Sequence, residues 1–138
     1  MKHNAIWITW ESQRRNRELS AALDAVLFEF SEIDRMSNRV TKYARGAART
    51  IAALRRTRPR LVFCQNPSLV LTLLLVFLRP FFGFRLCVDA HNAGLFPREG
   101  RSSVLMAVSR YVQRRANLTL VSNEALADHV RANGGRAF

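Results

Sequence analysis

Short apolar runs of strand length alternate with helix-length segments along the whole chain, and this alternation constrains the fold more than any other feature. Such alternation is typical of a parallel α/β sheet, in which each helix connects two strands. The five predicted strands are residues 5–10, 25–30, 61–65, 85–89 and 118–121. We therefore predict an α/β fold with a Rossmann-like parallel sheet of about five strands flanked by helices.

The chain has the size of one domain, with 138 residues of which 49% are hydrophobic. This content is sufficient for a substantial core, so we expect residues 1–138 to form a single domain. Cys64 and Cys87 both lie inside apolar runs. That placement is typical of small buried thiols in a reducing compartment, and it predicts a cytoplasmic protein without disulfides.

Capping residues and glycines mark the ends of the predicted helices, which cover residues 12–23, 37–57, 66–82, 104–115 and 123–132. Asn66 is expected to cap the third helix with Pro67 in its first turn, and Gly83 to end it. Asn123 is expected to cap the last helix. Residues 90–103 are polar and contain glycine and proline, so we predict a long loop with a function of its own.

Helical periodicity predicts which faces of the two longest polar helices are buried. In the helix over residues 37–57 the predicted inner residues are Val40, Tyr43, Ala44, Ala47, Ile51 and Leu54. In the helix over residues 104–115 they are Val104, Leu105, Val108, Tyr111 and Val112.

Basic residues occupy the opposite face of the helix over residues 37–57, namely Lys42, Arg45, Arg49 and Arg56. From Arg35 to Arg60 there are nine basic residues and no acidic one. Three interpretations of this face remain open: a solvated outer surface, contact with anionic lipid headgroups, and binding to nucleic acid. Nucleic acid is the least favoured, because the basic residues lack interleaved aromatic residues and a recognition motif.

The net charge of +12 predicts an acidic or phosphate-bearing neighbour for the chain as a whole. Residues 69–78 form a run of ten residues in which Thr72 is the one polar residue, whereas a span across a bilayer needs about 20 apolar residues. This run therefore predicts a buried or interfacial helix. Together with the basic face, it predicts peripheral attachment to an anionic membrane, such as the cytoplasmic face of an inner membrane.

Several common chemistries find no support in the sequence. The turn after the first strand is ESQRRN, so a glycine-rich dinucleotide motif is absent there, and no phosphate-binding loop occurs elsewhere. The three histidines and two cysteines do not have the spacing of a metal site, and no GxSxG motif is present. We therefore expect neither a metal nor a cofactor in this chain.

Polar residues follow the ends of the predicted strands, where a parallel sheet binds its ligands. With the expected strand order 2-1-3-4-5, the crevice lies between strands one and three. His91 is the most informative candidate, either as a base or hydroxyl-binding group or as a structural hydrogen-bonding residue. Asp89 either orients His91 or caps the loop, and Glu11 is either an acceptor contact or a first-turn acid. The other members of this ring are Trp10, Gln13, Gln65, Asn66, Asn92, Ser122, Asn123 and Glu124. Of these, Gln13, Asn66, Asn92, Asn123 and Glu124 are candidate binding residues.

Segments spread along the chain resemble the N-terminal half of GT-B glycosyltransferases of the family 4 type. They are a first strand ending in an aromatic residue, then RRNRELSAAL, LVFCQNP, VDAHNAGLF and RRANLTLVSNEALADHVRANGG. The last segment, from Arg114 to Gly135, carries most of the resemblance. In that family a basic helix leads into a strand and then into a similar stretch containing Ser-Asn and Leu-Ala.

The resemblance implies that the two substrates bind to two different domains. The half present here would carry the acceptor site, with His91 near the reacting centre, Asp89 orienting it, and Glu11 and Asn66 holding the acceptor. The nucleotide sugar would bind a second Rossmann domain that also supplies two glutamates eight positions apart. This chain contains no such pair, and its first turn lacks the Gly-Gly often found in the family.

Two hypotheses about function follow. In the first, the chain is the acceptor-binding half of a glycosyltransferase, inactive alone, with a lipid-linked or surface-polysaccharide acceptor. Its partner is then a nucleotide-sugar-binding domain, in the same polypeptide or in a separate subunit. In the second, the chain is a non-catalytic, flavodoxin-like module whose basic helix docks on an acidic partner or an anionic membrane.

Overall fold

The computed structural model describes residues 3–66 and 68–138 and contains one sheet of five parallel strands. Its order is β2-β1-β3-β4-β5, so both the predicted fold class and the predicted strand order are confirmed. The strands are β1 (Ala5–Thr9), β2 (Val26–Glu29), β3 (Leu61–Asn66), β4 (Arg85–Ala90) and β5 (Leu118–Leu120). The switch in strand order falls between β1 and β3, as expected.

Seven helices connect and flank the strands in the described residues. They are α1 (Arg14–Ala22), α2 (Ser31–Asp34), α3 (Arg39–Thr57), α4 (Leu69–Phe82), α5 (Asn92–Leu95), α6 (Ser103–Arg115) and α7 (Glu124–Ala132). The short helix α2 was not predicted, since four residues are too few to display a helical period. No helix of the described residues is long and apolar enough to cross a membrane.

The loop predicted over residues 90–103 is in part helical. Helix α5 lies within it, and a turn follows at Pro97–Gly100, in which Arg98 and Glu99 have φ angles of 51° and 55°. The hydroxyl of Ser109 donates to the carbonyl of Gly94 at 2.9 Å and lies 3.3 Å from that of Leu95. These carbonyls at the end of α5 are therefore satisfied by α6, which stabilises a helix too short to persist alone.

The two faces of the sheet are covered unequally. Helices α3 to α7 pack on one face and bury a core that includes Leu54, Leu75, Leu95, Val112 and Val130. Helix α1 packs on the other face, mainly against β1 and β2. We call this second surface the α1 face; its central row holds the side chains of Trp7, Phe63 and Cys87.

Helix α3 is rotated relative to the predicted inner stripe. Its buried residues are Gly46, Thr50, Ala53, Leu54 and Thr57, whereas Val40 is 80% exposed and Tyr43 and Ala44 are also exposed. The cause is the indole of Trp10, whose Nε1 donates to Thr50 Oγ1 at 3.1 Å. A Cβ on Gly46 would lie 2.6 Å from the same ring, so only a glycine admits this approach.

The inner stripe of α6 was also predicted incorrectly in part. Val112 is buried as expected, but Val104 is 70% exposed and Tyr111 is 36% exposed. Two polar residues, Ser109 and Gln113, are buried instead. They are joined by a hydrogen bond from Gln113 Nε2 to Ser109 Oγ, so the helix presents a satisfied polar contact where periodicity predicted an apolar one.

Two of the predicted helix boundaries are confirmed and one is wrong. Asn123 caps α7 by accepting from the Leu126 N–H at 3.0 Å, and Gly83 ends α4 with a φ of +71°. Asn66 does not cap α4, whose preceding residue is Ser68. Asn66 is the last residue of β3, because its backbone carbonyl accepts from the His91 N–H beyond β4. The predicted position of Pro67 lies outside the described residues.

Candidate functional site

Three buried polar side chains lie on the α1 face at the carboxyl ends of neighbouring strands. Thr9, Gln65 and Asp89 are each at most 2% exposed. Buried polar groups of this kind require hydrogen-bond partners. The partners come from the segment that leaves β1 and from the first turn of α1, which crosses the ends of these strands.

The carboxylate of Asp89 is held by Arg15. Arg15 Nε donates to Oδ2 and Nη2 donates to Oδ1, both at 2.9 Å, in a two-point ion pair. These hydrogen bonds raise the pKa of the Arg15 guanidinium. Asp89 is 1% exposed, so its negative charge depends on this pairing, while the Arg15 side chain remains 45% exposed toward the crevice.

A chain of hydrogen bonds runs from Glu11 to His91 through two glutamine amides. Gln13 Nε2 donates to Glu11 Oε2 at 2.9 Å, and Gln65 Nε2 donates to Gln13 Oε1 at 2.7 Å. Gln65 Nε2 also lies 2.8 Å from His91 Nε2. Asn16 Nδ2 donates to Gln65 Oε1 at 2.8 Å, which fixes the orientation of the same amide from its other side.

The direction of this chain determines the tautomer of His91. The ionised carboxylate of Glu11 can only accept, so Gln13 must turn its NH₂ toward Glu11 and its oxygen toward Gln65. Gln65 must then present its NH₂ to His91, and His91 Nε2 must accept. Only the neutral imidazole with its proton on Nδ1 meets this requirement.

The ring of His91 lies at the edge of the crevice, where β4 passes into α5. Its side chain is 36% exposed, and its backbone carbonyl accepts from the Leu95 N–H at 3.1 Å. Asp89 Oδ2 is 3.7 Å from His91 Nε2, beyond hydrogen-bond distance. Gln65 therefore holds the imidazole, while Asp89 holds Arg15 beside it.

The structure brings the side chains of Glu11, Gln13, Asp89 and His91 together, whereas among the described residues the side chains of the other predicted site residues form no hydrogen bond with them. Asn66 is 1% exposed beneath α5, where a Cβ on Gly94 would lie 2.5 Å from its side chain. Asn92 is exposed as the first residue of α5. The other two lie at the start of α7, where Asn123 is the cap and Glu124 pairs with Arg131.

Sequence reasoning assigned no role to Arg15 and Asn16, and it placed Gln65 in the polar ring at the strand ends without giving it a role. Arg15 and Asp89 are 74 positions apart, so no local pattern connects them. A signal was nevertheless present, because an aspartate that ends an apolar strand is buried and requires a cation. The arginines that immediately follow the first strand are the nearest source of one.

A groove of about 270 Å³ lies at the switch between β1 and β3 and shares Glu11 with the hydrogen-bonded chain. Its walls come from the end of β1, from α2 and α3, and from the start of α4: Trp10, Glu11, Asp34, Lys42, Tyr43 and residues 68–70. Lys42 Nζ is 3.6 Å from Asp34 Oδ1 in the wall. The groove thus offers two carboxylates, an ammonium group and two aromatic rings at the small end of the size range of ligand sites.

The basic face of α3 is partly paired and partly stacked. Arg49 forms an ion pair with Glu32 at 3.1 Å and stacks over the Phe30 ring at 5.6 Å. Arg56 lies over Phe28 at the same distance, 5.6 Å. Arg45 is exposed. The four cations predicted to face a membrane therefore have different surroundings, since Lys42 belongs to the groove.

Thiol and metal chemistry is not supported by the described residues. Burial raises the pKa of Cys64 and of Cys87 to about 12, so both thiols stay protonated at neutral pH. Over residues 3–66 and 68–138, no cluster of three or more His, Cys, Asp or Glu side chains is suited to a metal ion.

No protein-family model matches the chain, and no curated protein or solved structure matches it either.

Removing the cation from the buried ion pair is predicted to destabilise the protein. Arg15→Met leaves the Asp89 carboxylate buried without a cation, which costs about 3–5 kcal/mol. Urea denaturation of the variant measures this loss. Arg14→Met is the matched control, because Arg14 pairs with the exposed Glu18 and its loss should cost less than about 0.5 kcal/mol.

The double variant Arg15→Met with Asp89→Asn separates the charge from the packing. Removing both charges should restore part of the stability, so the two effects will not add. Equal losses for Arg14→Met and Arg15→Met, or simple additivity in the double variant, would contradict the role assigned to this pair.

Proposed function

We propose that the chain is the acceptor-binding half of a glycosyltransferase, working with a second domain that binds the nucleotide sugar. Support comes from the resemblance noted in the sequence and from the sheet, whose crevice lies where that family would bind an acceptor. The observation that carries the proposal is the 2.8 Å contact between Gln65 Nε2 and His91 Nε2, which orients an imidazole that is 36% exposed.

His91 acts in this proposal as a hydrogen-bond donor to the sugar. Its Nε2 lone pair is occupied by Gln65, so the nitrogen left for a ligand is Nδ1, which carries the proton. Such a group binds a hydroxyl oxygen of the acceptor or of the transferred sugar and does not remove a proton. A base for the attacking hydroxyl, where one is needed, would therefore be another group.

The groove that shares Glu11 with the hydrogen-bonded chain supplies the remaining contacts to an acceptor. The carboxylate of Glu11 accepts hydroxyl hydrogen bonds, and Lys42 donates to sugar oxygens. The rings of Trp10 and Tyr43, 6.4 Å apart between centroids, give the groove an apolar side. Aromatic and hydrogen-bonding groups in one groove suit a carbohydrate, which presents both apolar and hydroxyl surfaces.

The acceptor site is predicted to bind sugars without the donor domain. The probes are methyl glycosides of glucose, galactose, mannose and N-acetylglucosamine, titrated into ¹⁵N-labelled protein and followed by NMR. At least one should give saturable shifts at Glu11, Lys42 and His91. His91→Ala should weaken that binding about fivefold or more, through the loss of one hydrogen bond. His3→Ala is the control, because His3 precedes the amino-terminal end of β1, whereas the proposed site lies at the carboxyl end.

Two results would contradict the proposal. One is the absence of saturable shifts in the groove with every sugar tested. The other is sugar transfer from a nucleotide sugar by the purified 138-residue chain alone, because the proposal assigns the donor site to another domain.

We also propose peripheral attachment to an anionic membrane on the cytoplasmic side, through the surface where α4 lies beside α6. Phe77 is 56% exposed and Phe81 is 83% exposed, both on the outer side of α4. The Phe77 ring lies 6.4 Å from that of Tyr111, and the Arg115 guanidinium stacks over Tyr111 at 5.5 Å. Exposed aromatic rings beside arginines suit the interface between headgroups and acyl chains.

The distance between this surface and the groove favours a lipid-linked acceptor. Val70 lines the groove and Phe81 lies 11 residues further along α4, about 17 Å away at helical rise. An acceptor whose sugar extends outward from the bilayer would reach the groove from a membrane that contacts Phe81.

Membrane attachment predicts salt-sensitive binding to anionic vesicles. Co-sedimentation with phosphatidylglycerol-containing vesicles should exceed that with pure phosphatidylcholine and should fall as salt is added. Phe77→Ser with Phe81→Ser should abolish it, while Leu118→Ser, on the other side of the molecule, should not. Equal binding to both vesicle types, or binding to neither, would contradict the attachment.

A further inference from the structure

The α1 face of the sheet is covered over β1 and β2 and at the carboxyl ends of β3 and β4, and a groove lies over the amino-terminal parts of β3, β4 and β5. Helix α1 packs mainly on the first two strands, and the helices that pack on β3 and β4 lie on the opposite face. On the α1 face, helix α1 reaches β3 and β4 at their carboxyl ends, through the hydrogen bonds of Asn16 to Gln65 and of Arg15 to Asp89. Parallel sheets are normally covered on both faces, so this open strip is unusual.

The open strip forms an apolar groove of about 560 Å³. Phe63 and Cys87 lie at its floor and are only 7% and 4% exposed, and the half-buried Leu61 and Leu118 lie along it. Trp7 stacks on Phe63 at 5.5 Å with an interplanar angle of 11°, and it closes the side toward α1. The floor is therefore rigid and continuous with the core under α1.

Arginines border the groove at the amino-terminal edge of the sheet. Arg85 and Arg136 line it directly, and the backbone carbonyl of Arg136 accepts from the Thr119 N–H at 2.8 Å, which fixes its position beside β5. Next to it is a cleft of about 330 Å³ that shares Asn117 and Arg136 with the groove and adds Arg79, Arg114 and Arg115. No carboxylate lines this cleft among the described side chains.

We propose that this groove docks an amphipathic helix of a partner protein that carries acidic residues at one end. Three strands set about 4.8 Å apart give a strip about 10 Å wide, which equals the diameter of a helix. The apolar side of the helix lies on Leu61 and Leu118, above the buried Phe63 and Cys87. Its carboxylates pair with Arg85 and Arg136 and reach into the arginine cleft. This inference does not depend on the proposed transferase activity.

Charge favours such a partner over a second copy of the chain. The net charge of +12 makes two copies repel each other. A two-fold dimer through this face would place the same patch of both copies in contact. The arginines of each patch would then meet a surface whose described side chains offer no carboxylates to pair with them. An acidic helix instead neutralises the unpaired arginines and covers the apolar floor at the same time.

The test uses two synthetic helical peptides of about four turns with the same leucine face. One peptide carries glutamates at one end and along its flanks, and the other carries lysines at the same positions. Each peptide is fluorescently labelled and titrated with the 138-residue protein. We expect the acidic peptide to bind about tenfold or more tightly than the basic one, with affinity falling as salt rises. Methyl NMR signals of Leu61 and Leu118 should shift on binding.

Two variants and one control make the result decisive. Leu118→Ser should weaken binding of the acidic peptide, and Phe81→Ser, on the opposite layer of the molecule, should leave it unchanged. Arg85→Glu with Arg136→Glu alters only exposed side chains and should reverse the preference toward the basic peptide. Absence of binding, equal binding of the two peptides, or a protein dimer that Leu118→Ser dissociates would each overturn the proposal.

Discussion

The ion pair between Arg15 and Asp89 is the interaction on which the arrangement at the carboxyl edge of the sheet depends. A buried carboxylate costs several kcal/mol unless a cation and hydrogen bonds compensate it. Asp89 lies on β4, whereas α1 packs on β1 and β2, so Arg15 must reach over the end of β3 to meet it. This reach fixes the first turn of α1 and places Gln13 and Asn16 around Gln65.

Once α1 is fixed, the polarity of the site follows from one carboxylate. Glu11 can only accept, and two amides pass this constraint to His91 by turning their NH₂ groups in one direction. Gln65 holds the imidazole so that Nδ1 is the nitrogen that can donate, and no carboxylate of the described residues lies within hydrogen-bond distance of Nε2. The arrangement suits a group that orients a hydroxyl, and it differs from a histidine activated as a base by a carboxylate on its other nitrogen.

The sequence allowed the fold to be predicted better than the site, for a physical reason. Strand order follows from apolar runs and crossover rules, and capping by Asn123 and Gly83 follows from local geometry. The rotation of α3 depends on a tertiary contact, the indole of Trp10 against Gly46 and Thr50, that no helical period contains. Pairing of Arg15 with Asp89 likewise requires knowing where two segments meet.

The most direct test of this account is the tautomer of His91, measured by long-range ¹H–¹⁵N NMR at neutral pH. We predict a neutral ring with its proton on Nδ1 in the native protein. In Gln65→Leu, which removes the donor to Nε2, we expect a substantial population with the proton on Nε2. A native protein with the proton on Nε2, or a tautomer that does not respond to Gln65→Leu, would contradict the account.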